Sequence, residues 1–212
     1  FSQGSVLIST GLTKVICTAT VEEKVPGFLA GSGKGWVTAE YSMLPGSTSP
    51  RVSRDNQRKG RSQEISRLIG RSLRASINLQ ELGEITITID CDVIQADGGT
   101  RTASITGGFV ALSLAVKQML DSGSLDALPT ITPIAATSVG IFGDKVLVDL
   151  CYEEDSKADA DFNMVMASDG GIVEIQGSAE GNRFSRKLVD QVLDAGVDAI
   201  SKLFELQFKA LE

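Results

Sequence analysis

The 212-residue chain contains no histidine. This absence excludes the Ser-His-Asp and Cys-His systems that activate a nucleophile, and it excludes zinc sites built on imidazole ligands. Any acid–base or metal chemistry must therefore use carboxylates. Any stabilisation of negative charge must use arginine, lysine or backbone amides.

Cysteine and long apolar runs are also scarce. The three cysteines, Cys17, Cys91 and Cys151, lie far apart in apolar segments, so we expect small buried residues of a reducing cytoplasm and no metal site. No apolar run approaches the roughly 20 residues of a membrane span, and no signal peptide is visible, so we expect a cytoplasmic protein without membrane contact. Because the chain starts at Phe1 and not at methionine, we expect an amino-terminal piece to be missing.

Charge is distributed unevenly along the chain. The net charge is −7, which argues against a protein that coats nucleic acid over its whole surface. Basic residues are nevertheless concentrated between Arg51 and Arg74, a stretch that holds eight of the 20 lysines and arginines and only two acids. This asymmetry predicts a localised site for a polyanion on an acidic body.

The basic stretch divides into a loop and a helix. Gly, Pro and Ser residues predict a loop over residues 46–60. From Ser62 to near Leu79, apolar residues every four positions predict a helix with one buried face. The helix cations on the opposite face are most simply solvated: Arg67, Arg71 and Arg74. The loop cations have few acids to neutralise them, so we expect them to contact backbone phosphates: Arg51, Arg54, Arg58 and Lys59.

Residues 97–108, with the sequence DGGTRTASITGG, join a predicted strand (85–95) to a predicted helix. Gly98 and Gly99 let the backbone turn tightly and approach a ligand closely. The first amides of a helix are unpaired donors at the positive end of its dipole, and Arg101 adds a forked cation. The pattern predicts bound phosphate. The alternative is an ordinary turn followed by a threonine helix cap, with Thr100 or Thr102 as the cap.

Acidic residues are dense in residues 153–161, between two predicted strands. If these strands form a hairpin, Asp155 and Asp161 approach each other across its turn. The pair can hold Mg²⁺ through oxygen ligands, or either acid can protonate a leaving oxygen. The alternative is a solvated acidic loop.

The order of strands and helices predicts the fold class. Strands and helices mix without strict alternation, so we expect an α+β fold with mixed sheets backed by helices, in one domain that spans residues 1–212. Three or four strands are expected after Pro133, one of them over residues 145–152. The last helix should start after Phe184 and Ser185, with an inner face made of Val189, Val192, Val197, Ile200 and Phe204.

Five segments are specific enough to identify a family. They are residues 35–45 (GWVTAEYSMLP), 60–71 (GRSQEISRLIGR), 89–104 (IDCDVIQADGGTRTAS), 152–156 (YEEDS) and 173–177 (VEIQG). Their sequences, order and spacing resemble the ribonuclease PH family, whose members are phosphate-dependent 3′-exoribonucleases that trim transfer RNA. The resemblance covers essentially the whole chain.

The resemblance implies a function for each candidate site. Gly99, Thr100 and Arg101 would hold inorganic phosphate, and Arg61 would complete the pocket. Asp155 and Asp161 match the family's acidic pair, assigned to Mg²⁺ and to general-acid work, and the cations before Arg61 match a loop that receives the RNA 3′ end. The family releases nucleoside 5′-diphosphates reversibly.

The resemblance also implies an architecture and partners. The family fold is similar to the second domain of ribosomal protein S5, and members assemble as a hexameric ring of three dimers. The implied partners are phosphate, tRNA and other RNA 3′ ends, but neither DNA nor a membrane. Two features depart from the family pattern. Its amino-terminal stretch, which carries an Asp-Gly-Arg motif, is missing, and the loop over residues 50–60 is shorter than usual.

Two alternatives remain open. The chain can be a non-catalytic, RNA-binding ring subunit of an exosome-like complex, although Arg61, Arg101, Asp155 and Asp161 are all present. It can also be a small-molecule kinase of the same broad superfamily, although that would require a glycine-rich ATP loop, and neither P-loop nor dinucleotide-binding spacing is found.

Overall fold

The first part of the chain forms a four-stranded sheet. The computed structural model describes residues 1–54, 60–179 and 183–212. The strands are β1 (Gly4–Thr10), β2 (Thr13–Glu22), β3 (Trp36–Met43) and β4 (Thr86–Gln95). They lie in the order β1-β2-β4-β3, with β3 parallel to β4 and the other pairs antiparallel. Alternate residues of β2 are buried, as expected for a sheet that is covered on one face.

The second part of the chain forms another four-stranded sheet. Its strands are β5 (Ile134–Phe142), β6 (Lys145–Val148), β7 (Ala160–Ala167) and β8 (Ile172–Ala179). They lie in the order β6-β5-β7-β8 and are all antiparallel. β5 is buried along almost its whole length because α-helices pack against it.

Four α-helices are present in the described residues: α1 (Gly60–Arg74), α2 (Thr100–Asp121), α3 (Tyr152–Asp155) and α4 (Arg186–Leu211). α2 contacts strands of both sheets, as well as α1 and α4, and its apolar side chains join the largest core cluster. α2 has the length and composition of a membrane span, but 72% of its most apolar window is buried inside the protein, as expected for a central core helix. The two sheets therefore share one helix and the largest core cluster, while the second sheet and α4 bury two further clusters, and the predicted α+β fold class is confirmed.

Some predicted element boundaries are confirmed and two are wrong. α1 ends at Arg74 instead of near Leu79, because Ile77 pairs with Ile131 in an isolated β-bridge. β6 ends at Val148 instead of at residue 152, because Asp149 has a positive φ of 58° that interrupts the extended backbone. α4 begins after Ser185, whose hydroxyl caps the helix, as expected from the sequence.

The inner face of α4 also differs from the expectation. Val192 and Ile200 are buried, but Val197 is 38% exposed. Gly196 takes the buried position, and a Cβ there would lie only 2.5 Å from the Met164 sulfur. α4 packs so closely on β7 that Gly196, which has no side chain, makes the contact with Met164.

Candidate active site

A polar cleft of about 500 Å³ lies where the first turns of α1 and α2 face the second sheet. It brings together four residues that are far apart in the sequence but were assigned to one site: Arg61, Arg101, Asp155 and Asp161. Its other lining residues are Ser156, Asn163, Gln176, Gly177 and Ser178. A larger cleft, about 790 Å³, lies between β3 and α1 and contains none of those four residues.

The start of α2 is shaped by two glycines in the left-handed region. Gly98 and Gly99 have φ values of 75° and 57°, a conformation that L side chains rarely adopt. A Cβ on Gly98 would overlap the Leu150 carbonyl oxygen, so only glycine fits this turn. Gly99 is the helix N-cap, and no side chain of the described residues caps the helix. The interpretation of Thr100 or Thr102 as an ordinary helix cap is therefore wrong, and the first amides of α2 have no partner within the described parts of the chain.

Thr100 is held by a residue to which the sequence analysis gave no function. The Tyr41 hydroxyl lies 2.8 Å from the Thr100 hydroxyl, so a side chain of β3 fixes the first turn of α2. Burial raises the pKa of Tyr41, and the hydrogen bond to Thr100 and the positive charges of Arg61 and Arg101 partly oppose that rise. Tyr41 therefore stays protonated and neutral, and it links the phosphate-binding candidates to the core. The only sequence signal for Tyr41 was its position in the segment 35–45.

Arg101 has hydrogen-bonding capacity that the described residues leave unused. Its side chain is 20% exposed, and its Nη1 lies 3.7 Å from the Glu64 carboxylate, beyond hydrogen-bonding distance. Arg61 is exposed in the first turn of α1. Two guanidinium groups thus line one cleft at the first turn of α2, whereas Gly99 and Thr100 are not among its lining residues. This arrangement suits a phosphate, which accepts forked hydrogen bonds from arginine and single ones from helix amides.

The acidic segment is arranged differently from the predicted hairpin turn. Residues 152–155 form α3, whose first turn contains Glu153, Glu154 and Asp155. Acids in this position are favoured by the helix dipole, and Lys157 pairs with Glu153 at 2.7 Å. Asp161 lies on β7, opposite Ser178 of β8. Asp155 and Asp161 therefore meet in the polar cleft across a helix and a strand.

The predicted basic sites are only partly described. Arg51 and Arg54 are exposed in the segment that precedes α1, but they do not line the polar cleft. Arg58 and Lys59 lie outside the described residues.

Two arginines of α1 were predicted to be solvated, and this is wrong. Arg71 donates to both oxygens of Glu174 on β8, with Nε–Oε2 and Nη2–Oε1 distances of 3.0 and 2.5 Å. Arg74 stacks on Trp36, with its guanidinium carbon 4.2 Å from the ring centroid, and donates to the Val37 carbonyl at 2.8 Å. Each side chain thus makes a tertiary contact, Arg71 with β8 and Arg74 with β3.

Comparison with known proteins places this geometry in a family. The models of the 3′ exoribonuclease family, domain 1 and domain 2, match residues 1–118 and 132–199. The chain is 55% identical to a ribonuclease PH of Dehalococcoides mccartyi over 98% of this chain and 87% of that protein. It is also 55% identical to a ribonuclease PH of Crocosphaera subtropica, over 100% and 88%.

A solved structure agrees in fold. The Archaeoglobus fulgidus exosome with RNA bound to the active site contains a chain that superposes with a TM-score of 0.79. The identity is 23%, over 96% of this chain and 83% of that one, so this likeness concerns the fold alone. The family models, the relatives and the fold agree: the chain belongs to the ribonuclease PH family of 3′ exoribonucleases.

Proposed function

We propose that this chain is a phosphorolytic 3′-to-5′ exoribonuclease, which uses inorganic phosphate to release nucleoside 5′-diphosphates from RNA. The observation that carries this proposal is the convergence of Arg61, Arg101, Asp155 and Asp161 in one cleft at the uncapped start of α2. Cations and amides on one side suit a bound phosphate, and carboxylates on the other suit a leaving oxygen. The relatives that share about 55% of the sequence are named ribonuclease PH.

The reaction follows from these positions. Inorganic phosphate binds to the amides of Gly99–Arg101 and to the guanidinium groups of Arg61 and Arg101. One of its oxygens attacks the phosphorus of the last phosphodiester, the bond from phosphorus to the 3′ oxygen breaks, and that oxygen receives a proton. The arginines neutralise charge on both phosphoryl groups, so catalysis consists mainly of positioning and electrostatic stabilisation. A phosphoanhydride replaces an ester, so the enzyme also works in reverse as a nucleotidyltransferase.

Asp155 and Asp161 are suited to a magnesium ion that is shared with the substrate. Mg²⁺ prefers oxygen ligands, keeps several waters, and is usually bound by one or two carboxylates together with phosphates. The described residues contain no group of three or more His, Cys, Asp or Glu side chains that could hold a metal alone, which fits a shared site better than a closed one. When bound, the ion would stabilise charge on the leaving oxygen. Alternatively, a carboxyl group that holds no metal, Asp155 or Asp161, supplies the proton to that oxygen.

The natural setting of the reaction is part of the proposal. We propose tRNA 3′ ends as the main substrate, among other RNA but not DNA, and a cytoplasmic protein that assembles as a homohexamer of three dimers, without contact with a membrane. The three free cysteines support a reducing compartment. The loop cations Arg51, Arg54, Arg58 and Lys59 would guide the RNA 3′ end. A non-catalytic ring subunit is disfavoured because both the arginines and the carboxylates are in place in the polar cleft.

One incubation tests the proposal. Purified protein is mixed with RNA and Mg²⁺, with or without phosphate, and the products are separated by chromatography. We expect nucleoside 5′-diphosphates only when phosphate is present. Equal shortening without phosphate, with nucleoside monophosphates as the product, would mean that water is the attacking group and would overturn the proposal.

A further inference from the structure

The polar cleft has a neutral part that the proposed phosphate chemistry does not use. On the face of the second sheet that lines the cleft, Asn163 of β7 is the cross-strand partner of Gln176 of β8. The next pair along the same face is Asp161 with Ser178. Two carboxamides therefore lie directly beside one of the candidate catalytic carboxylates. A neutral carboxamide carries an acceptor as well as donors, so it can accept a hydrogen bond from a substrate hydroxyl, which arginine cannot do.

The orientation of Gln176 is set by an ion pair from the first half of the chain. The Gln176 Nε2 donates to Glu174 Oε1 at 2.9 Å. The same carboxylate accepts two hydrogen bonds from Arg71 of α1. The Glu174 side chain is only 19% exposed, whereas the Arg71 side chain is 47% exposed. The chain of contacts Arg71–Glu174–Gln176 thus connects α1 to the floor of the polar cleft.

The hydrogen-bonding capacity of a carboxylate determines which Gln176 atom is available to a ligand. An ionised carboxylate can only accept hydrogen bonds, so Gln176 must offer its NH₂ group to Glu174. The Oε1 acceptor of Gln176 therefore remains for the cleft, and no described residue donates a hydrogen bond to it. A fixed acceptor in a ligand cleft is complementary to a hydroxyl donor and repels phosphate oxygens.

We propose that Gln176, with Asn163 beside it, binds the 2′-hydroxyl of the 3′-terminal ribose and thereby selects ribose over deoxyribose. Glu174 and Arg71 are positioning residues that fix the Gln176 carboxamide. This inference rests on the proposed phosphorolysis of RNA. The 2′-hydroxyl is the group that distinguishes RNA from DNA at a given position, and it is a hydrogen-bond donor. The terminal ribose lies beside the scissile bond because its 5′ oxygen is attached to the phosphorus that is attacked, and Asp161 lines the same cleft.

The test measures kcat/KM for phosphorolysis of two oligonucleotides that are identical except for a 2′-deoxy sugar at the 3′-terminal position. For the parent we expect a preference for the ribose form of about 3- to 10-fold, the range of one neutral hydrogen bond. Gln176→Leu keeps a similar volume without the acceptor, and its ribose-to-deoxyribose ratio should fall towards 1. Glu174→Gln should lower the ratio by a smaller amount while Gln176 is still present. The KM for phosphate should change much less than the ratio.

The matched control is Gln118→Leu. Gln118 is exposed near the end of α2, and 17 residues of helix place it about 26 Å from Arg101. The control should keep the parent ratio. Thermal unfolding of each variant shows whether a changed ratio comes from lost specificity or from a folding defect. If Gln176→Leu does not fold, the ratio of Glu174→Gln tests the proposal.

The outcomes separate this inference from the proposed function. The ribose assignment would be overturned if the parent showed no ribose preference, or if Gln176→Leu lowered kcat/KM equally for the two oligonucleotides. Phosphate-dependent degradation would stand in either case. An unchanged ratio in Glu174→Gln would overturn the positioning role. Degradation that needs no phosphate would overturn the proposed function itself.

Discussion

Arg101→Ala should separate phosphate binding from folding. The only ion pair of the Arg101 side chain among described residues is with Glu64 at 3.7 Å, and Glu64 is 56% exposed, so the screened pair contributes only about 0–1 kcal/mol to stability. Two hydrogen bonds from the guanidinium to bound phosphate are worth about 1.5–3 kcal/mol each. The variant should therefore lose roughly 10²- to 10⁴-fold in kcat/KM for phosphate, at about tenfold per 1.4 kcal/mol.

The assay is the initial rate of RNA phosphorolysis over a range of phosphate concentrations, together with thermal unfolding. Arg101→Lys keeps the positive charge but not the forked pair of donors, so its kcat/KM for phosphate should lie between those of the parent and Arg101→Ala. Lys117→Ala removes an exposed cation from the same helix, about 24 Å away, and should match the parent. An Arg101→Ala variant with the parent's kcat/KM for phosphate would refute the assignment of Arg101 to phosphate.

Three further predictions concern other parts of the molecule. Asp161→Asn should lower the rate at least tenfold and weaken its dependence on Mg²⁺, because one of two carboxylate ligands is lost; a parent-like Mg²⁺ titration would contradict the metal role. Replacing Arg51 and Arg54 together with Gln should weaken RNA binding and reduce the slope of log K against log salt by about 1.4, and an unaltered slope would show that both side chains face solvent. Gln207→Leu should lower the free energy of unfolding by about 1–3 kcal/mol, because the buried Gln207 Nε2 donates to two backbone carbonyls. Denaturant titration checks the last prediction, and the KM for phosphate should not change.

Sequence reasoning worked best where a local pattern decides the structure. Gly98 and Gly99 between a strand and a helix indicated the turn, because positive φ values select glycine at those positions. Sequence reasoning failed where the partner of a residue is distant in the sequence. Arg71 was expected to be solvated because nothing near it in sequence announces Glu174. The end of α1 was misplaced because the backbone bridge between Ile77 and Ile131 overrides the helical pattern.

The sequence alone determined the α+β class and most of the element boundaries, because hydrophobic period and turn residues are local properties, and its lack of histidine limited the chemistry that the candidate site can use. Tertiary structure decided the rest. It placed Arg61, Arg101, Asp155 and Asp161 in one cleft, and it connected Tyr41 to Thr100 across 59 positions. Those relations depend on how two sheets pack around α2, and packing joins residues that share no local pattern.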